Sequence, residues 1–133
     1  MAFTNLLNDS IIRIRNSQEN KKSKTNLIKS GLSINILKVL RNEGYLRSFI
    51  IKEKTIEVSL KYFRDRPAIK NIKYHSKLNE KINLSYKELN YLYKSKEANS
   101  GLSLMILSTP LGILTDFECL TQKIGGKLIL TVL

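Results

Sequence analysis

The chain has 133 residues, 42% of them hydrophobic, and its 23 Lys and Arg against 11 Asp and Glu give a formal net charge of +12. This length and composition allow a buried core in one compact domain or in two small lobes. The cationic excess indicates a polyanionic partner, with nucleic acid as the first candidate and an anionic membrane surface as the second. No apolar stretch reaches the roughly 20 residues that a transmembrane helix requires.

The first third of the chain predicts two helices and a short strand. Apolar side chains recur at helical spacing from Phe3 to Ile14, which predicts an amphipathic helix over residues 2–18. Residues 27–28 follow a polar, basic loop and are a candidate short strand. Ser30 is the predicted N-cap of a second helix, and Gly44 is its predicted end.

The middle of the chain predicts mainly strands. Residues 45–51 and 55–62 form two candidate strands around a tight turn, and in the second strand apolar and polar residues alternate. Residues 69–74 and 81–84 are two further strand candidates. A polar turn or a short helix is expected at residues 86–91.

The last third predicts a strand, a turn, a helix and a final strand. The apolar run at residues 102–107 is long enough for one buried strand, and a polar turn is predicted after it at residues 108–112. Thr115 and Glu118 have the spacing of a capping box, so a helix should start there. This helix should run to about residue 123, and the double glycine at 125–126 is the expected stop before a strand at residues 128–133.

We therefore predict an α+β protein with two lobes. Residues 1–64 form an N-terminal α/β lobe in which two helices pack on a short sheet, and residues 65–133 form a β-rich C-terminal lobe with one short helix. The predicted boundary lies at the loop that begins at Arg64.

The polar turn after residue 107 is a candidate nucleic-acid contact. Ser108 and Thr109 offer compact donors and acceptors, and Gly112 leaves the backbone accessible. An ordinary surface turn has the same composition, so both interpretations stay open. Gly125 and Gly126 likewise predict either a helix C-cap or accessible backbone N–H groups beside a ligand.

Basic residues fall into several clusters along the chain. Any one cluster is more often a solvated face than a binding site, but together they predict a broad positive surface. The clusters are Arg13 with Arg15, Lys21–Lys22 with Lys24, Arg64 with Arg66, Lys70 with Lys73, and Lys77 with Lys81.

The composition argues against an enzyme and against a metal site. Cys119 is the single cysteine and His75 the single histidine, so the chain lacks a Cys/His ligand set. Cys119 falls among apolar neighbours on the predicted C-terminal helix, where a buried filler is expected. No phosphate-binding loop, nucleophile elbow or dinucleotide motif is present, and no cofactor or small-molecule substrate is expected.

Several segments, in this order, resemble the small-subunit ribosomal protein S8 family. They are Arg-Ile-Arg-Asn at 13–16, LKVLRNEGYLRSF at 37–49, LKYF at 60–63, the Ser-Thr-x-x-Gly loop at 108–112, the Thr-Asp helix start at 115–116 and Gly-Gly at 125–126. The resemblance covers nearly the whole chain. It implies a structural protein that binds a helical segment in the central domain of small-subunit rRNA, helps to organise that domain and touches neighbouring proteins such as S5.

The resemblance also implies which residues contact RNA. They are Arg13, Arg15, Ser76, Lys77, Lys81, Ser108, Thr109, Gly112, Gly125, Gly126 and Lys127. The chain departs from the family pattern at Pro110, which replaces a Ser, at Leu111, which often is Lys, and at Lys127, which normally is Glu. The family's Ser-Arg/Lys-Pro-Gly turn is Ser-Lys-Leu-Asn here, at residues 76–79. Because Lys only donates hydrogen bonds, phosphate neutralisation is expected at position 127 rather than base readout.

Two other functions fit the charge: a free-standing RNA-binding regulatory module and a peripheral protein on an anionic membrane. We expect no membrane partner. The resemblance starts within the first few residues, so we expect no cleaved presequence. That early start, the altered loop and the bias toward Lys, Ile, Asn and Leu favour a mitochondrial copy, with a plastid or the bacterial cytoplasm as alternatives.

Overall fold

The computed structural model describes residues 2–75, 82–98 and 103–133. The chain divides into two compact units, Met1–Lys70 and Asn71–Leu133. The boundary expected after residue 64 falls inside the first of these units.

The first unit contains two helices and five strands: α1 (Ala2–Glu19), β1 (Lys24–Ile28), α2 (Gly31–Asn42), β2 (Leu46–Ile51), β3 (Thr55–Leu60), β4 (Tyr62–Phe63) and β5 (Arg66–Pro67). The described part of the second unit contains β6 (Ile72–Tyr74), β7 (Asn83–Leu84), α3 (Tyr86–Ala98), β8 (Leu104–Thr109), β9 (Gly112–Thr115), α4 (Asp116–Gln122) and β10 (Gly126–Val132). This mixture of helices and antiparallel sheets confirms the predicted α+β class.

In the first unit, β1, β3 and β2 form an antiparallel sheet in that order, and a separate hairpin joins β4 to β5. Ile56, Val58 and Leu60 alternate along β3 and are buried, as the sequence pattern predicts. Ser30 caps α2, because its hydroxyl accepts a 3.1 Å hydrogen bond from the backbone N–H of Ser33. Gly44 follows the helix with a φ of 84°, a conformation that suits glycine.

In the second unit, the sheet order is β6-β10-β8-β9, and β7 also pairs with β10. Helices α3 and α4 contact each other and contribute side chains to one core together with the strands. The buried members of this core are Leu84, Leu89, Met105, Leu107, Cys119 and Leu128.

The prediction of a single short helix in the C-terminal lobe is wrong, because α3 is a second helix of 13 residues. Ser85 and Glu88 mark its start: the Ser85 hydroxyl accepts from the Glu88 N–H at 3.2 Å and donates to the Glu88 carboxylate at 3.2 Å. Leu89 is fully buried and fixes the helix on the core. This tertiary contact stabilises a helix over 13 residues, where the polar composition predicted a turn or a short helix at residues 86–91.

Candidate nucleic-acid interface

Four strands of the second unit meet at one end of the sheet. The pairing register places Lys127 of β10 opposite Asn83 of β7 on one side and opposite Ser108 of β8 on the other, while Ser108 also faces Ile113 of β9. Directly opposite residues share a face of the sheet. The ammonium-bearing side chain of Lys127 and the Ser108 hydroxyl therefore extend from neighbouring strands on the same face. We call Asn83, Ser108, Thr109, Gly112, Gly126 and Lys127 the hairpin site.

The predicted polar turn is shorter than expected, because β8 continues through Thr109 and β9 begins at Gly112. Only Pro110 and Leu111 form the loop of this β-hairpin, and Thr109 pairs with Gly112 across it. Proline in the second position of a four-residue turn and glycine in the fourth are typical of a type I turn. The φ of 115° at Gly112 returns the chain to the strand. Thr-Pro-Leu-Gly is thus a sequence signal for the hairpin.

The hydroxyl of Thr109 is engaged within the turn. It donates to the Gly112 carbonyl at 2.8 Å and accepts from the Leu111 N–H at 3.2 Å. Thr109 follows Ser108 in the strand, so its side chain lies on the opposite face, on the side of Leu107 and the helices. Thr109 consequently shapes the hairpin, and its hydroxyl has one remaining acceptor position.

The Ser108 hydroxyl differs from that of Thr109, because it has no hydrogen-bond partner among the described residues. Its side chain is half-buried and lies beside Lys127. A hydroxyl next to a cation is suited to bind a phosphate or a ribose hydroxyl, since both groups accept hydrogen bonds. Of the two hydroxyls that the sequence offers, Ser108 is the one available to a ligand.

Gly125 and Gly126 are required for close packing rather than for a helix cap. Lys123, with a φ of 57°, is the left-handed C-cap of α4, and neither glycine has a left-handed φ. A Cβ atom on Gly126 would lie 2.7 Å from the Ser108 carbonyl oxygen and 2.8 Å from Thr109 Cγ2. A Cβ atom on Gly125 would overlap the Leu84 carbonyl oxygen. The expectation that the double glycine ends the helix is therefore wrong.

Arg13 and Arg15 lie on α1 in the first unit, where the Arg13 guanidinium pairs with Asp9 at 3.0 Å and donates to the Asn26 carbonyl at 3.1 Å. Arg13 thus ties α1 to β1, while Arg15 is exposed. Ser76, Lys77 and Lys81 fall outside the described residues.

Several described lysines of the second unit are available to an anionic ligand. The ion pairs of the first unit use Arg13, Lys24 and Lys52. Lys73, Lys87, Lys94, Lys123 and Lys127 have no carboxylate partner in the part of the chain that the structure describes. A surface with unneutralised cations attracts a polyanion.

Cys119 is buried, as predicted. Its side chain is 0% exposed and lies in the core beneath α4. Burial, followed by the nearby carboxylates of Asp116 and Glu118, raises the pKa of this thiol to about 11. The thiolate is the reactive form, so Cys119 has the properties of a core residue rather than of a nucleophile.

An apolar surface lies beside the hairpin site. Leu111 at the loop and Phe117 on α4 are 65% and 62% exposed. They line one side of a groove whose other lining residues are Leu114, Glu118, Thr121 and Gln122. The sequence indicated Leu111 as a departure from the family pattern, but it gave no sign that Phe117 would join it. Exposed apolar side chains that cluster in this way are typical of contact surfaces.

Among the described residues, no group of three or more metal-binding side chains is present. In the same ranges, no helix combines the length and the apolar character that are needed to cross a membrane.

The family model described as "Ribosomal protein S8" matches residues 5–133. The "Small ribosomal subunit protein uS8" of Erythrobacter litoralis is 38% identical over 136 residues, which cover 99% of each chain. The proteins of the same description from Rhodopseudomonas palustris and Xanthobacter autotrophicus are 37% identical over 137 residues, again with 99% of each chain covered. The chain belongs to the Ribosomal protein S8 family, which confirms the resemblance recognised in its sequence.

Proposed function

We propose that this protein binds the central domain of small-subunit rRNA and supports the assembly of the small subunit and its activity in translation. The observation that carries the proposal is the pairing of Ser108 with Lys127, which sets a free hydroxyl beside a cation at the end of a rigid sheet. The net charge of +12 supports a polyanionic ligand. The protein acts as a structural component and catalyses no reaction.

The residues of the hairpin site have different roles in RNA binding. The lysines neutralise phosphates and supply affinity that does not depend on sequence. The Ser108 hydroxyl donates to a ribose or phosphate oxygen and so fixes the position of the RNA along the sheet. Gly126 keeps β10 close to β8, and Thr109 holds the turn, so that Ser108 and Lys127 stay side by side.

We also propose a protein neighbour, ribosomal protein S5, for the second unit. The exposed apolar side chains of Leu111 and Phe117 support a protein contact, because RNA backbones offer little apolar surface. The exposed carboxylate of Glu118, which lines the same groove, disfavours RNA there.

For the compartment, we propose the mitochondrion, with a plastid or the bacterial cytoplasm as alternatives. The bias toward Lys, Ile, Asn and Leu and the altered loop residues support an organellar copy. The relatives named above come from bacteria, in agreement with the third alternative. Cell fractionation followed by detection of this chain with an antibody distinguishes the three.

The experiment that tests the RNA site compares two RNAs. The affinity of the full chain is measured for a transcript of the rRNA central domain and for an unrelated folded RNA of equal length. Ser108→Ala should weaken binding to the rRNA transcript roughly fivefold, since one net hydrogen bond contributes about 1 kcal/mol. It should leave binding to the unrelated RNA unchanged, because that RNA has no fixed position on the sheet at which one backbone oxygen meets Ser108, and the lysines alone hold it.

Two further variants complete this design. Lys127→Ala should weaken binding to both RNAs and reduce the slope of log affinity against log salt by roughly one unit. Ser48→Ala is the matched control, since Ser48 is an exposed strand serine of the first unit. Equal losses for Ser108→Ala on both RNAs, or a loss for Ser48→Ala of the same size, would contradict the assigned role of the hairpin site.

A further inference from the structure

The hairpin of β4 and β5 exposes an aromatic side chain in the first unit. Phe63 is 69% exposed, which makes it one of the most exposed large apolar residues among those described. It is the last residue of β4, next to the hairpin turn. The residues next to this exposed ring determine what it can bind.

Two arginines surround the Phe63 ring. The guanidinium carbon of Arg64 lies 5.2 Å from the ring centroid, within the range of a cation–π interaction. Arg66 of β5 pairs directly with Phe63, so the two side chains share a face of the hairpin. Both arginines are exposed, and neither has an ion pair in the described part of the chain. The hairpin end therefore presents one aromatic ring with two unneutralised guanidinium groups.

The turn of this hairpin has an unusual backbone. Arg64 and Asp65 have φ values of 51° and 66°, in the left-handed region that glycine or asparagine normally occupies in two-residue hairpin turns. Asp tolerates the left-handed region because its short polar side chain can form a local hydrogen bond, whereas the long Arg side chain forms no such bond. A glycine at position 64 would relieve the strain, and it would also remove the cation above the ring. The tight turn thus keeps Arg64 directly beside the Phe63 ring.

The base of the hairpin is firmly held. The Tyr62 hydroxyl donates to the Lys22 carbonyl at 2.6 Å, and the Ala68 N–H donates to the Lys61 carbonyl at 2.8 Å. The Lys61 ammonium group also donates to the Gly44 carbonyl at 3.1 Å. Because its base is fixed at several points, the hairpin presents Phe63 in a defined position, which lowers the entropy lost on binding.

We propose that the β4–β5 hairpin is a second RNA-binding site, in which an unpaired base stacks on Phe63 while Arg64 and Arg66 bind the flanking phosphates. Single-stranded RNA is recognised in this way, by aromatic stacking together with guanidinium groups. A duplex keeps its bases stacked on one another and offers none to the ring. The proposal rests on the proposed rRNA-binding function and adds a site for a single-stranded segment.

The test measures the affinity of the full chain for two probes, an unstructured single-stranded RNA and a duplex RNA of the same length. Phe63→Leu should lower the affinity for the single strand roughly 5- to 150-fold, the range that corresponds to stacking of one base. The affinity for the duplex should not change. Phe63→Tyr keeps an aromatic face and should bind the single strand within about twofold of the unmodified chain. Thermal unfolding checks that both variants are folded, as expected for a position that is 69% exposed.

Two separate losses distinguish this proposal from the proposed function: the loss of rRNA central-domain binding in Ser108→Ala tests the hairpin site, and the loss of single-strand binding in Phe63→Leu tests the β4–β5 hairpin. If Phe63→Leu bound the single strand as tightly as the unmodified chain, the proposal for the β4–β5 hairpin would be overturned. Equal losses of affinity for Phe63→Leu and Phe63→Tyr would overturn it as well. If Phe63→Leu lost affinity for an acidic peptide and not for RNA, the hairpin would be a protein-binding surface, which would also overturn the proposal.

Discussion

Gly126→Ala should destabilise the protein and weaken rRNA binding, although Ala is ordinarily no worse than Gly in a strand. The new Cβ atom would lie 2.7 Å from the Ser108 carbonyl oxygen and 2.8 Å from Thr109 Cγ2. The carbonyl belongs to the backbone of the paired strand and cannot rotate away. Strands β8 and β10 must therefore move apart at the hairpin site, and Ser108 moves with them.

The expected cost follows from the packing. Adding a methyl group to a filled space typically costs about 1–3 kcal/mol. For 133 residues the entropy of unfolding is about 0.28 kcal/mol/K, so the melting temperature should fall by about 4–11 °C. The measurement is thermal denaturation followed by circular dichroism, and the affinity for the rRNA central domain is determined below the transition.

Gly31→Ala is the matched control for this experiment. Gly31 begins α2, and a Cβ atom there would meet no other atom within 4 Å. Ala is favoured over Gly in helices, by up to about 1 kcal/mol, so the control should keep or raise the melting temperature. A Gly126→Ala variant as stable as the unmodified chain, with full rRNA affinity, would refute the close approach of β8 and β10.

Four further outcomes are expected. Cys119 should react slowly with a thiol reagent in the folded protein, because a pKa of about 11 leaves roughly one thiolate in a thousand at pH 8, and rapid labelling would argue against its burial. Thr115→Ala removes the capping box of α4 and should lower the free energy of unfolding by about 1 kcal/mol, as measured by urea denaturation. Pro110→Ser adds a hydroxyl to the hairpin loop and should tighten binding to the rRNA central domain in a filter-binding assay, whereas unchanged binding would show that the loop does not face RNA. The slope of log affinity against log salt should be roughly −4 to −6 if about six phosphates are neutralised, and a nearly flat slope would contradict electrostatic attachment.

Local patterns in the sequence were sufficient for much of the fold. The alternation along β3 predicted its buried face, and Ser30 and Thr115 predicted helix starts whose caps the structure contains. These signals depend on neighbouring residues only, so they need no knowledge of the tertiary structure. The α+β class follows from such local patterns taken together.

The features that sequence reasoning missed depend on contacts between distant segments. Leu89 stabilises α3 by burial in a core built from several strands, and the sequence does not show that contact. The sequence alone predicts Gly126 as a helix stop, because it does not show that Gly126 packs against the Ser108 carbonyl oxygen. The hairpin loop at Pro110 was recognisable from its turn residues, but the sequence did not show that Ser108 and Thr109 would lie on opposite faces with one hydroxyl engaged.

Membership in the small ribosomal subunit is tested most directly by sedimentation. Lysate from cells that express the full chain is separated on a high-salt sucrose gradient, and the chain is detected with an antibody. The chain should sediment with the small subunit, and Ser108→Ala combined with Lys127→Ala should shift part of it toward the top of the gradient. An unmodified chain that stays at the top, or that partitions with lipid, would contradict the account and favour a free-standing RNA-binding module or a membrane-surface protein, respectively.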